Sequence, residues 1–176
     1  MDEDQYRDIE PLANLKIGKA IDRLSKENAE RTSKINADFA TRGLGQSGPL
    51  DAARLKSRLR MAEEVCREVS SIWLHLILKR DQVLTQEATS LIMAKVQAQA
   101  DGFSRQGIES SMRPTPQGVT GFLDAELARG IQGIVADIRR DLEIRRREQA
   151  LAPPKRENIS EEAFVIMGAN EDLRTQ

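Results

Sequence analysis

The sequence predicts an all-α fold, a bundle of about four long helices with coiled-coil-like packing, followed by a short strand-like segment near the C-terminus. Three observations carry this expectation. Ala, Leu, Ile, Arg and Glu are abundant while aromatic residues make up only 3% of the chain, a composition that favours helices over sandwiches and barrels. Apolar side chains recur at three- and four-residue steps through most of residues 1–150, and neither Gly nor Pro occurs from Leu50 through Asp101. At 176 residues the chain is long enough to bury a core without metal or disulfide staples. It divides into a helical module over 1–150, a Pro-containing linker over 151–160 and a segment of different character over 161–176.

The first helix is expected over residues 8 to 42, on a face formed by Leu12, Leu15, Ile17, Ile21, Leu24, Ile35 and Phe39. That face turns polar at Asn28 and Arg31, so the middle of the helix is either solvated or engaged with a polar partner. The clearest pattern follows. Leu55, Leu59, Ala62, Cys66, Val69, Trp73 and Leu76 alternate four- and three-residue steps, a seam sustained for three heptads and widened by Val65 and Ile72. An isolated helix cannot bury such a seam, so a partner is required. The register slips near Lys79 to Gln82, and the next face uses Leu84, Ala88, Leu91, Ile92 and Val96. The expected bend has Asp81 as N-cap; a single phase-shifted rod is the alternative.

A polar connection from Asp101 to Gln117 precedes a last helix over about Val119 to Gln149, with Thr115 and Pro116 placed to cap and start it. Its face is Leu123, Leu127, Ile131, Ile134, Val135, Ile138 and Leu142. Gly130 and Gly133 each weaken a helix by about 1 kcal/mol relative to Ala, which suggests either a close crossing of a neighbour or local softening. Pro153 and Pro154 end the helix, and Ala163 to Met167, capped by Gly168, reads as a buried strand.

The charges, 27 basic against 28 acidic, nearly cancel, so no global field draws the molecule to nucleic acid or an anionic membrane. The longest apolar-dominated run, Ile72 to Leu78, is far short of the roughly 20 residues that span a bilayer. A single cysteine excludes an internal disulfide and, with no signal-like opening, points to a reducing, cytoplasmic setting.

GLGQSG, residues 43–48, matches the G-x-G-x-x-G of dinucleotide-binding turns, but the charged, helically spaced residues before it are no buried strand. An interhelical loop, with a positive φ at glycine, Gly48 as N-cap and Pro49 in the first turn, explains it better. With His75 and Cys66 each alone of their kind, ordinary zinc sites cannot be built, and Ile72 stands where a Glu-x-x-His motif would need its carboxylate. His75, inside "SIWLHLIL", is expected to be partly buried. No catalytic or metal site is therefore expected, and no cofactor in this chain. Arg139, Arg140, Arg145, Arg146 and Arg147 form a candidate anion patch. Helix-dipole compensation and pairing with interleaved acids, such as Asp141 with Arg145, is the stronger reading. Trp73 on the seam is expected to serve the core or a subunit interface, together with Ile134 and Ile138.

Phe164, Val165, Ile166, Gly168, Asn170, Glu171, Asp172 and Leu173 resemble the opening of Toll/interleukin-receptor-like (TIR-like) domains of the bacterial predicted nucleotide-binding type. The resemblance covers about fourteen residues of the 176. It implies an N-terminal helical region ahead of a domain that cleaves NAD or a related nucleotide in anti-phage defence. The glutamate of such enzymes would lie beyond Gln176, and Gly168 and Asn170 would line the mouth of a nucleotide pocket only with the rest of that domain. The expected role of the chain itself is a non-catalytic interaction, oligomerisation or sensing module, with a second copy or partner helices as its contacts. The alternatives are a nucleic-acid or anionic-ligand module using the Arg139 to Arg147 helix, and an enzyme binding a nucleotide at GLGQSG or at the C-terminal strand.

Overall fold

The computed structural model describes residues 6–45, 48–105 and 117–151. Within them the chain forms four helices: α1 (Glu10–Thr41), α2 (Gly48–Asp81), α3 (Gln86–Arg105) and α4 (Gln117–Leu151). The all-α expectation holds. The strand expected at Ala163 to Met167, the linker around Pro153 and Pro154, and the cap at Thr115 and Pro116 lie outside the described residues.

Helix α2 is the hub, packed against each of the other three. Cross-helix partners give the directions. Arg80 with Asp8, Arg23 with Glu68, Ser57 with Asn28 and Arg54 with Asn36 make α1 and α2 an antiparallel hairpin. Leu59 against Gly130 and Arg67 with Asp141 place α4 parallel to α2, and α3 returns between them. The core runs through α2, α3 and α4, where Ala62, Val65, Cys66, Val69, Trp73, Ile77, Ile92, Val96, Leu127, Ile131, Ile138 and Leu142 are all buried. Each large apolar side chain there contributes roughly 1.5–3 kcal/mol of burial before entropy is counted.

The expected face of α1 needs correction at its start. Ala13, Ile17, Ala20 and Leu24 point inward, whereas Leu12 and Leu15 are 45% and 57% exposed. With residues about 100° apart around a helix, Leu15 lies nearly opposite Ala13 and cannot share its face. The polar waist of α1 is engaged rather than solvated: the Ser57 hydroxyl donates to Asn28 Oδ1 at 3.1 Å, and Arg31 Nη2 donates to both carboxylate oxygens of Glu64 at 3.4 Å.

Two closures explain the turns. Helix α1 ends in a Schellman arrangement, with Gly43 at φ +71, its N–H donating to Ala40 O at 3.0 Å and Leu44 N–H donating to Phe39 O at 2.8 Å. The first glycine of GLGQSG is thus a helix terminator. Gly48 is already helical rather than the N-cap, and Pro49 sits in the first turn, where its missing N–H costs nothing. Between α2 and α3 the chain bends as expected, but Asp81 is the last residue of α2, not a cap. Gln82 adopts φ +59 and donates its N–H to Leu78 O, and the orphan N–H of Ala88 is taken by Thr85 Oγ1 at 3.1 Å. Thr85 is therefore the N-cap of α3, three residues before the donor it satisfies. The N-terminal segment lies over this bend, with Tyr6 buried, the Arg80 guanidinium 5.4 Å from its ring centroid and Arg80 Nη1 donating to Asp8 at 2.8 Å.

Candidate functional site

The seam residues meet inside one chain. Ala62, Cys66, Val69, Trp73 and Leu76 are buried, and Leu55 and Leu59 pack half-buried against the same cluster. Trp73 is 1% exposed, with Lys95 Nζ 5.3 Å from its ring centroid and donating to Glu10 Oε1 at 2.5 Å. Ile138 is buried and Ile134 partly so. These side chains are core in this structure. Burial pushes the Cys66 thiol up to about 11, which leaves it protonated and unreactive at neutral pH.

The two glycines of α4 have different surroundings. A Cβ on Gly130 would stand 2.5 Å from Leu59 Cδ2, so a seam side chain of α2 occupies the space a side chain would need. A Cβ on Gly133 would meet nothing within 4 Å. The close crossing is made at Gly130 alone.

Steps of about 100° set Arg139 beside Arg146 and Arg140 beside Arg147 in two adjacent stripes of α4, with Arg145 apart from them. Arg140 pairs with Asp137 at 3.3 Å and Arg146 with Glu143 at 2.9 Å, both three residues apart. The expected Asp141 to Arg145 pairing is replaced by a longer-range one, because Asp141 faces α2 and accepts from Arg67 Nη1 at 3.3 Å. Arg145 lines a shallow cleft of about 160 Å³ between α2 and α4, with Arg67, Ser70, Ser71, Leu74 and Asp141. Arg67 also donates to Glu63 at 2.9 Å, and these bonds, that to Glu63 foremost, raise its pKa. The lining carries two guanidiniums, of Arg67 and Arg145, and one carboxylate, of Asp141, while Glu63 pairs with Arg67.

His75 is exposed, not partly buried, since it points away from the seam formed by Trp73 and Leu76. Among the described residues no three His, Cys, Asp or Glu side chains gather as metal ligands, and no helix is long and apolar enough to cross a membrane.

A second face, apart from the one that packs into the core, lies on the outside of α4. Phe122, Ile144 and Leu151 are 63%, 48% and 84% exposed, opposite the face that holds Leu127, Ile131 and Ile138 in the core. The signal was available in the sequence: residues 122, 126, 129, 133, 136, 140, 144, 147 and 151 form a second row of four- and three-residue steps on the same helix. It is masked by its polar members Glu126, Arg129, Arg140 and Arg147. Compared with protein-family models, curated proteins and solved structures, the chain matches none.

Proposed function

We propose that the chain is a non-catalytic helical interaction or oligomerisation module. One observation carries this reading: α4 closes the core with one face while holding Phe122, Ile144 and Leu151 in solvent on the other. Ile144 and Leu151 are neighbours on that face and Phe122 stands about 33 Å away at its other end, so the apolar contacts it offers are at the two ends of a long helix face. The buried, protonated Cys66 fits a reducing, cytoplasmic setting. The TIR-like resemblance of Phe164 to Leu173 supports placing the module ahead of an effector domain that acts on NAD or a related nucleotide in anti-phage defence. Sedimentation equilibrium over a wide concentration range tests the module reading. A self-associating chain is the expected result, and a monomer at every concentration, with no partner helix bound, overturns it. The effector placement is tested by the reading frame after Gln176, where alternating strands and helices are expected.

The second reading, an anionic-ligand or nucleic-acid module, is favoured by Arg145 standing in a cleft with Ser70, Ser71 and Arg67. Its mark is salt-dependent binding lost on Arg145→Glu. Binding unchanged by that substitution ends it.

A further inference from the structure

We infer that a second copy of this chain docks antiparallel along the outer face of α4, the two helices crossing about a two-fold axis between Ala136 and Asp137. This inference rests on the module reading and names its partner and its surface.

The exposed row from Phe122 to Leu151 spans 29 helical rises, about 43 Å at about 1.5 Å each, long enough for a continuous helix–helix contact. Two-fold pairing requires a self-complementary surface. Reversing the row about the point between Ala136 and Asp137 sets Phe122 opposite Leu151 of the second copy and Glu126 opposite its Arg147. Gly133 then faces Arg140, whose aliphatic stem needs the space that glycine leaves, and Arg129 lies on Ile144. Phe122 meets Leu151 at each end, and Glu126, which pairs with Arg129 of its own helix, also meets Arg147 of the second copy. A parallel, in-register pair would instead stack Arg129, Arg140 and Arg147 each on its own copy, three like-charge contacts. Antiparallel helices also place opposite dipole ends together.

Gly133 is the independent sign. Gly130 has an intrachain reason, the Leu59 side chain against it. Gly133, exposed and with open space around it, has none, yet it weakens the helix it stands in. A neighbouring helix crossing beside it supplies the reason.

The test mixes chains carrying Phe122→Cys with chains carrying Leu151→Cys under mild oxidation, the buried Cys66 staying out of the reaction. A disulfide-linked mixed pair is expected, with neither variant cross-linking to itself. In sedimentation, Glu126→Arg and Arg147→Glu each weaken self-association about tenfold, and the two together in one chain restore it. Self-cross-linking of Phe122→Cys would establish a parallel pair and overturn the inference. So would a dimer indifferent to both charge reversals but broken by Leu15→Asp on α1; that outcome removes the α4 face and leaves the module reading standing. A chain monomeric at all concentrations removes both.

Discussion

The two halves of the α1–α2 hairpin are joined by different physics. From Ala13 to Leu24, α1 buries Ala13, Ile17, Ala20 and Leu24 beside the stretch of α2 that carries Cys66, Val69 and Trp73. From Ser25 to Thr41 no residue of α1 is buried, and the attachment passes to polar pairs: Asn28 with Ser57, Arg31 with Glu64, and Asn36 with the Arg54 Nε at 3.0 Å. Burial of apolar area is non-directional and tolerates local sliding, whereas a net hydrogen bond contributes only about 0.5–1.5 kcal/mol and needs its geometry. The apolar half therefore supplies most of the attachment, and the polar half fixes the register in which α1 lies on α2. Arg31 shows how finely that half is set, since its Nη1 is buried with no partner among the described residues while Nη2 reaches Glu64.

The largest break of this contrast is Trp73→Ala. Removing the most voluminous fully buried side chain costs about 3–5 kcal/mol, and urea unfolding followed by circular dichroism should show one cooperative transition at a lower midpoint. Glu64→Ala acts on the other half. It strands the Arg31 guanidinium and is expected to cost about 1–3 kcal/mol, with amide exchange speeding up across Ser25 to Thr41 more than across Ala13 to Leu24. Equal acceleration in both segments would dissolve the distinction.

A sharper version replaces the Asn28 and Ser57 pair. Asn28→Leu alone leaves the Ser57 hydroxyl without its acceptor and costs about 1 kcal/mol, while adding Ser57→Ala recovers most of that loss in thermal unfolding, because neither polar group then remains to be satisfied. A double variant no better than the single one would show that the pair does more than satisfy itself. The smallest effect concerns the hairpin's two ends. Helix α1 terminates at Gly43, which takes positive φ freely, whereas α2 terminates at Gln82 with φ +59. Gln82→Gly should raise stability by about 0.5–1 kcal/mol in thermal unfolding.

Much of this was legible along the chain. The seam from Leu55 to Leu76 was readable because its alternating steps repeat too often for chance, and every member is wholly or half buried. The polar waist at Asn28 and Arg31 was readable as polar, but its partners Ser57 and Glu64 stand 29 and 33 residues away, beyond the reach of any local pattern. A list of apolar residues at mixed spacings hides that Leu15 lies on the far side of the helix from Ala13 and Leu12 on its flank. Residue type alone offers Asp81 as a cap; which residue caps α3 depends on where the left-handed Gln82 turns the chain. Of the five arginines that cluster in sequence, Arg145 turns to the cleft beside α2, while Arg140 and Arg147 share the outer row of α4.

By itself, then, the amino-acid order determined the helical class, the bend near Lys79 to Gln82, the positive φ at the GLGQSG turn and the principal seam, all of which follow from local geometry and periodicity. Tertiary structure alone decided that α2 is the hub, that Glu64 answers Arg31, that Leu59 fills the space at Gly130 and not at Gly133, and that α4 keeps Phe122, Ile144 and Leu151 in solvent. The reason is physical: periodicity states which side chains share a face, but only packing states what that face meets.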